Sequence, residues 1–354
     1  MNRWIHGLFA LVALAVVVGL VVFWPRPQPL PTPAPPPAPS GTPSSPSPSP
    51  TTTPTATPTP CPTRAPAVRL SVLTFNIHGA LGHGRLDLGR IARAISVSRA
   101  DVVLLQEVDR YRLRTGVVPQ ARSLGRTLGL HVAYGANKLR APARHGLPPA
   151  AIGNAILSRF PIREQANTHL PNRVGMELRG LLHVELDVHG RSVSVYNTHL
   201  QHTSGSMRRE QAHAIRAVID RDTDPLILGG DLNAESDSPA VGILERGGLS
   251  DTWGQVGHGD GLTVPAYVPH RRIDFLLHDD AVEPLAAAVL RSGLSDHREV
   301  WGEFEVPAAS TCFGRMLWGN RPTIMICTFL IPPAPTCCAF PTAVKPGPKI
   351  RMRR

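Results

Sequence analysis

Asp231 and Asn233 stand two residues apart behind a pair of glycines, in the run LILGGDLNAESD (226–237). A short apolar run bounded by turn residues reads as a buried strand. In an extended chain, residues i and i+2 project to the same face, so this strand end delivers a carboxylate and a carboxamide together. Such a pair can activate a water and hold a developing oxyanion. The pattern recurs along the chain. Asn76 ends VRLSVLTFN, Glu107 follows VVLLQ, His199 follows VYNT, Asp274 lies in RRIDFLL, and Asp296 and His297 follow the turn Ser292-Gly293-Leu294-Ser295. Each has an ordinary reading when taken alone: a solvated carboxylate, a side chain bonded to its own turn, or a helix cap. Gathered together, four carboxylates, two carboxamides and two histidines require a cation, and hard oxygen donors suit Mg²⁺ or Mn²⁺.

The elements that must position these residues are short apolar strands: 68–77, 100–108, 153–159, 181–190, 191–200, 224–230 and 271–278. LLHVELDV and SVSVYNTH alternate around His189-Gly190 as a β-hairpin does. Helical periodicity intervenes at 86–98, 119–129 and 206–220, the last with Ser206 as its cap. Many strands with few helices between them predict two packed sheets flanked by helices.

In this order, FNIHG, LLQEVDR, YNTHL, ILGGDLNAESDSP, RRIDFLL and SDH resemble the endonuclease/exonuclease/phosphatase superfamily, over about Val68 to Val306. That superfamily includes pancreatic-type DNases, apurinic endonucleases, inositol polyphosphate 5-phosphatases and bacterial sphingomyelinases. The resemblance implies an α/β (α+β) fold, a four-layer sandwich of two packed, mostly antiparallel β-sheets flanked by helices. It implies that Glu107, Asn76 and Asp296 attend a Mg²⁺ or Mn²⁺ ion. It implies that His199 and Asn233 contact phosphate oxygens, that Asp231 orients or deprotonates the attacking water, and that Asp274 orients a phosphate-donating His297. Arg179, in GMELRGLL, reads as a further phosphate contact or a structural one. The activity implied is metal-dependent hydrolysis of phosphate esters, with nucleic acid, inositol phosphates and phospholipids all open as substrates because fold does not choose among them. A phosphodiesterase is the first reading. A phosphomonoesterase or phospholipase-type enzyme is the second, and a catalytically silent, surface-tethered binding module is the reading from another class.

Charge and composition bound the rest. The chain has 354 residues and a net charge of +11, but the two ends carry +10 of it. The 68–306 segment is near neutral, which argues against an extended nucleic-acid surface on it. All five cysteines lie outside that segment. Gly7 to Trp24 is an unbroken apolar run near the lower limit for spanning a bilayer. It ends in bulky residues and proline where a cleavage site would have small ones, so residues 1–24 read as an uncleaved signal anchor, with a cleaved signal peptide as the alternative. Residues 25–67 hold 18 of the 37 prolines and read as an extended, unstructured linker. This arrangement puts a monomeric catalytic domain outside the membrane. Residues 307–354, basic and rich in Cys and Pro, read as an unstructured tail. The stretch 136–150 reads as a solvated loop near the site, with contact between its Arg, Lys and His side chains and an anionic substrate as the alternative.

Overall fold

The computed structural model describes residues 67–306, together with the backbone of 310–318 and 321–329. The chain runs β1 (Val68–Asn76), α1 (Leu88–Ser98), β2 (Val102–Arg110), α2 (Gln120–Leu128), β3 (His131–Arg140), β4 (Ala150–Ser158) and β5 (Ile162–His169). It continues with β6 (Gly180–Val188), β7 (Arg191–His199), α3 (Gly205–Ile219), β8 (Leu226–Asp231), α4 (Pro239–Arg246), β9 (Ser250–Asp251) and α5 (Thr252–Val256). The domain closes with β10 (Asp274–His278), β11 (Glu283–Val289) and β12 (Val300–Val306). One six-stranded sheet has the order β11-β12-β1-β2-β4-β3, the other β5-β6-β7-β8-β10-β9. Only β1/β2 and β7/β8 pair in parallel; every other pair in the two sheets is antiparallel.

Alternation along the strands builds the layers. Leu70 and Val72 of β1 pack with Leu104, Ile156, Val184, Val195, Ile227 and Leu276 between the sheets. Their neighbours Leu73 and Phe75 face the other way, onto Ile91 and Ile95 of α1 and Leu124 of α2. On the second sheet, Leu228, Phe275 and Leu277 turn outward onto Ile215 of α3 and Leu244 of α4. Strands clothed on both faces read as near-continuous apolar runs. The result is helix, sheet, sheet, helix, as expected.

A polar clamp crosses the inter-sheet layer just beneath the strand ends. Asn197 of β7, fully buried, donates to the carbonyls of Leu105 (2.9 Å) and Ala155 (2.8 Å), and its Oδ1 accepts from Gln106 Nε2 at 2.7 Å. Asn197→Ala strands those partners in a dry interior. Buried groups left unsatisfied cost about 1–3 kcal/mol each, so we expect a loss of about 3 kcal/mol and a Tm fall of roughly 5–12 °C. Differential scanning calorimetry checks this; a fall below about 2 °C shows that the clamp contributes little.

The paired glycines have a local cause. Gly230 has φ +146°, and a Cβ there would lie 1.9 Å from the Thr198 carbonyl oxygen of β7. The backbone that approaches this glycine is therefore a neighbouring strand, whereas the sequence left room for any close approach.

Three boundaries differ from expectation. The N-cap of α3 is Ser204, which accepts from Met207 N, rather than Ser206. Residues 136–140 belong to β3 and are not loop. Within the expected unstructured tail, β13 (Ser310–Trp318) and β14 (Arg321–Phe329) form an antiparallel pair. The expected signal anchor (1–24) and nearly all of the expected linker (25–66) lie outside the described residues. Among the described residues, no helix is long and apolar enough to cross a membrane.

Candidate active site

The two parallel pairs end at the same edge of the sandwich. Asn76 pairs in register with Gln106, and His199 with Asp231, while Asp274 of β10 sits opposite Asp231 on the other side. Asn76 Nδ2 donates across the sheets to Asp231 Oδ2 at 3.1 Å. One hydrogen bond thus joins the end of β1 in one sheet to the end of β8 in the other.

Asp231 is the hub. It is 1% exposed, its Oδ1 accepts from Asn233 N at 2.9 Å, and its Oδ2 lies 3.3 Å from His199 Nε2 and 3.7 Å from His297 Nε2. Burial, then repulsion from Asp274, pushes its carboxyl up to about 7, against the opposing pull of His297. Burial alone would lower His297, but the Asp274 carboxylate against its Nδ1 (2.9 Å) outweighs burial and raises it to about 10. Asp274 fixes the ring so that Nε2–H points at the site.

His199 is the opposite case. Arg179 Nη1 lies 2.9 Å from His199 Nδ1, and a guanidinium can only donate. Nδ1 is therefore the bare nitrogen, and the proton sits on Nε2, facing Asp231. Burial and the adjacent Arg179 charge hold the His199 pKa well below its usual value, so the ring is neutral. Arg179 also reaches His202 Nδ1 (3.1 Å) and Glu177 (3.0 Å), and is 6% exposed. Of its two expected roles, its contacts fit the structural one. Asn233, expected at phosphate, spends one amide hydrogen on the Leu200 carbonyl at 3.1 Å and keeps the other.

Glu107 is held in an unusual backbone state. A β-bulge interrupts the β2/β4 register between Leu105 and Val108, and Glu107 has φ +54°. For a non-glycine residue this left-handed conformation costs about 1–3 kcal/mol and concentrates at functional sites. Its carboxylate accepts from Asn76 Nδ2 at 3.3 Å. Asp296 is half exposed, bonded to Ser295 Oγ (3.0 Å) and to His78 Nδ1 (3.1 Å). Partial burial opposes the shift, but the His78 hydrogen bond and the His297 charge hold Asp296 at about 2. His78, two residues after Asn76, is a further residue of the site, and its i+2 spacing from Asn76 is the signal for it in the sequence. Arg298, next to His297, donates to the Ala266 carbonyl at 2.7 Å and secures the loop.

These groups border a cavity of about 420 Å³, lined among others by Glu107, Asn154, Arg179, His199, Asp231 and His297. Asp296 does not line it. Asp231, Asp274 and His297 form a buried group whose ligand atoms lie within 4.8 Å of one another, with Asp274 already holding the imidazole Nδ1 at 2.9 Å. Asn76 Oδ1 accepts from His78 N at 3.1 Å, and the field of Asp296 and Glu107 raises the His78 pKa, chiefly through the Asp296 hydrogen bond. That field suits a divalent cation with oxygen ligands.

Comparison with known proteins agrees with this architecture. The model of the Endonuclease/Exonuclease/phosphatase family matches residues 73–297. An endonuclease/exonuclease/phosphatase of Beutenbergia cavernae superposes with TM-score 0.56 at 28% identity, over 69% of this chain and 74% of that one. The uncharacterized protein YbhP of Escherichia coli K12 is 26% identical over 250 residues, 66% of this chain and 96% of its own. The Bacteroides thetaiotaomicron mannosyl-6-phosphatase has the same fold, with TM-score 0.52 and 19% identity over 66% of this chain and 99% of that one. With a match that runs from β1 through the Asp296-His297 pair, the chain belongs to the endonuclease/exonuclease/phosphatase family.

Proposed function

We propose that the protein hydrolyses phosphate esters with a water activated by Asp231, and that it depends on Mg²⁺ or Mn²⁺ held by Glu107, Asn76 and Asp296. The observation that carries this reading is the Asp231 carboxylate, raised to about 7 and set between a neutral His199 and a protonated His297. A carboxylate with that affinity for protons is matched to general-base work near neutral pH. The metal, when bound, neutralises charge on the phosphoryl group.

The chain's own residues do the rest. Asn76 Nδ2 and the neutral His199 Nε2–H point at Oδ2 of Asp231 and fix its plane. Asp231 takes the proton as the water oxygen bonds to phosphorus; the ester P–O bond breaks, and the leaving oxygen keeps the electron pair and is protonated by solvent to the alcohol. His297 Nε2–H, oriented by Asp274, donates to a phosphoryl oxygen whose charge grows in the transition state. The second hydrogen of the Asn233 amide is available to another. The apolar run Gly7–Trp24 supports a membrane anchor with this domain outside.

The test is hydrolysis of bis(p-nitrophenyl) phosphate and p-nitrophenyl phosphate by the purified chain. We expect turnover with Mg²⁺ or Mn²⁺ that EDTA abolishes and added metal restores. Turnover indifferent to EDTA removes the metal from the mechanism, and no turnover of either ester under any metal removes the hydrolase reading. Which of the two esters is preferred separates diesterase from monoesterase.

A further inference from the structure

One wall of the cavity is cationic and has no part in the chemistry above. Lys138 and Arg140 of β3 line it, as do Arg112 and Arg114 from the turn after β2. Residues two apart on a strand share a face, which aims Lys138 and Arg140 together. The β3/β4 register shifts between Ala136 and Lys138. A bulge of this kind re-aims side chains, and here it brings Asn137 to the same cavity as Lys138.

Three features suit this wall to an anion. Asn137 is 6% exposed and lines the cavity, where its amide Nδ2 is a donor; its buried Oδ1 can only accept and takes no part in holding an anion. Arg112 and Arg114 share a single buried carboxylate, Asp109, at 3.2 and 2.7 Å, so together they keep one positive charge in excess. Lys138 and Arg140 have no carboxylate within salt-bridge distance among the described residues. Of the acids on the other sides, Glu177 is paired with Arg179, while Asp231 and Glu107 accept from the neutral Asn76 amide and keep their charge for the reacting end of the cavity.

We infer that Asn137, Lys138 and Arg140, backed by Arg112 and Arg114, form a subsite for a second anionic group of the substrate, remote from the phosphate that is cleaved. This rests on the phosphoester reading above and narrows it to a small compound bearing two phosphates. A cavity of about 420 Å³ is of the size that holds small ligands. The near-neutral net charge of the domain, by contrast, gives little support to a polynucleotide.

The experiment is calorimetric titration of the purified full chain in chelator, with fructose 1,6-bisphosphate, fructose 6-phosphate and a short single-stranded oligonucleotide as probes. The bisphosphate is expected to bind about tenfold or more tightly than the monophosphate, the usual scale for a charge-assisted contact. The double variant Lys138→Met/Arg140→Met, with circular dichroism confirming its fold, is expected to erase that preference. Asn137→Ala is expected to weaken it by a smaller factor.

Equal affinity for the two sugar phosphates, or a preference that survives in the double variant, overturns the subsite. An oligonucleotide that outbinds the bisphosphate through the same two residues overturns the small-molecule assignment. Because binding is read without turnover, a chain that shows the preference but hydrolyses nothing retains the subsite and loses the hydrolase reading. A chain that hydrolyses esters without the preference does the reverse.

Discussion

Replacing Asp231 with asparagine lowers kcat about 10³-fold, within the range of about 10²–10⁴ for removal of a general base, while the fold survives. The carboxamide is close to isosteric and can still accept from Asn76 Nδ2, so the join between the two sheets persists. What disappears is the group that takes the proton. Stability does not follow activity. The Asp231 pKa is raised on folding, from 3.8 to about 7, because burial disfavours its charge. The folded state therefore binds more protons than the unfolded one between about pH 4 and pH 7. Stability falls as pH rises through that window and stays reduced above it. The carboxamide has no charge to bury, which offsets the Asn233 N–H bond that its NH2 end cannot accept, so the variant's Tm at pH 8 should match that of the parent. Steady-state kinetics paired with a melting curve decides the matter. A loss of activity accompanied by a large fall in Tm would instead make Asp231 a structural residue.

Replacing His297 with glutamine costs about 10²–10³ in kcat, the usual loss when one oriented donor to a developing oxyanion is removed. The pH profile distinguishes this from simple damage. With Asp231 at about 7 and His297 at about 10, the parent rate should rise through the first value and fall through the second. The glutamine variant has no imidazolium to lose, so the alkaline limb vanishes. The His297 charge also pulls the Asp231 pKa down. Without it that carboxyl rises further, and the acid limb shifts to higher pH. Measuring kcat from pH 5 to pH 11 reads both changes at once; an alkaline limb unchanged in the variant assigns that limb to another group.

Much of the architecture was legible because the strands that carry the site are the ones buried on both faces. LILGG, VVLLQ and VSVYNTH are apolar runs whose ends stand out as polar. The edge strands were harder. β5, IREQANTH, is mostly exposed and shows no alternation, and an edge strand clothed in polar side chains resists pairing with other chains for the same reason that it hides from a periodicity search. β12, VWGEFEV, is an interior strand between β11 and β1 that alternates buried and half-buried residues throughout, and its period of two was there to be read. The site's supporting residues were not. Gln106, Asn197 and Asn154 look like ordinary polar interruptions of strands, and only the juxtaposition of the two sheets makes them a clamp.

By itself the sequence determined which residue types stand at strand ends, in what order, and hence the family and the hydrolytic chemistry it brings. Local periodicity and turn residues specify those features, and both are written into neighbouring positions of the chain. Only the tertiary structure decided protonation and partnership. Asp231 and Asp296 are the same residue type, yet one is buried against Asp274 and raised to about 7, and the other is half exposed against His78 and lowered to about 2. His199 and His297 likewise divide into a neutral ring under a guanidinium and a cation against a carboxylate. Burial and the sign of the nearest charge set a pKa, and those are properties of segments brought together by packing, 155 positions apart for Asn76 and Asp231.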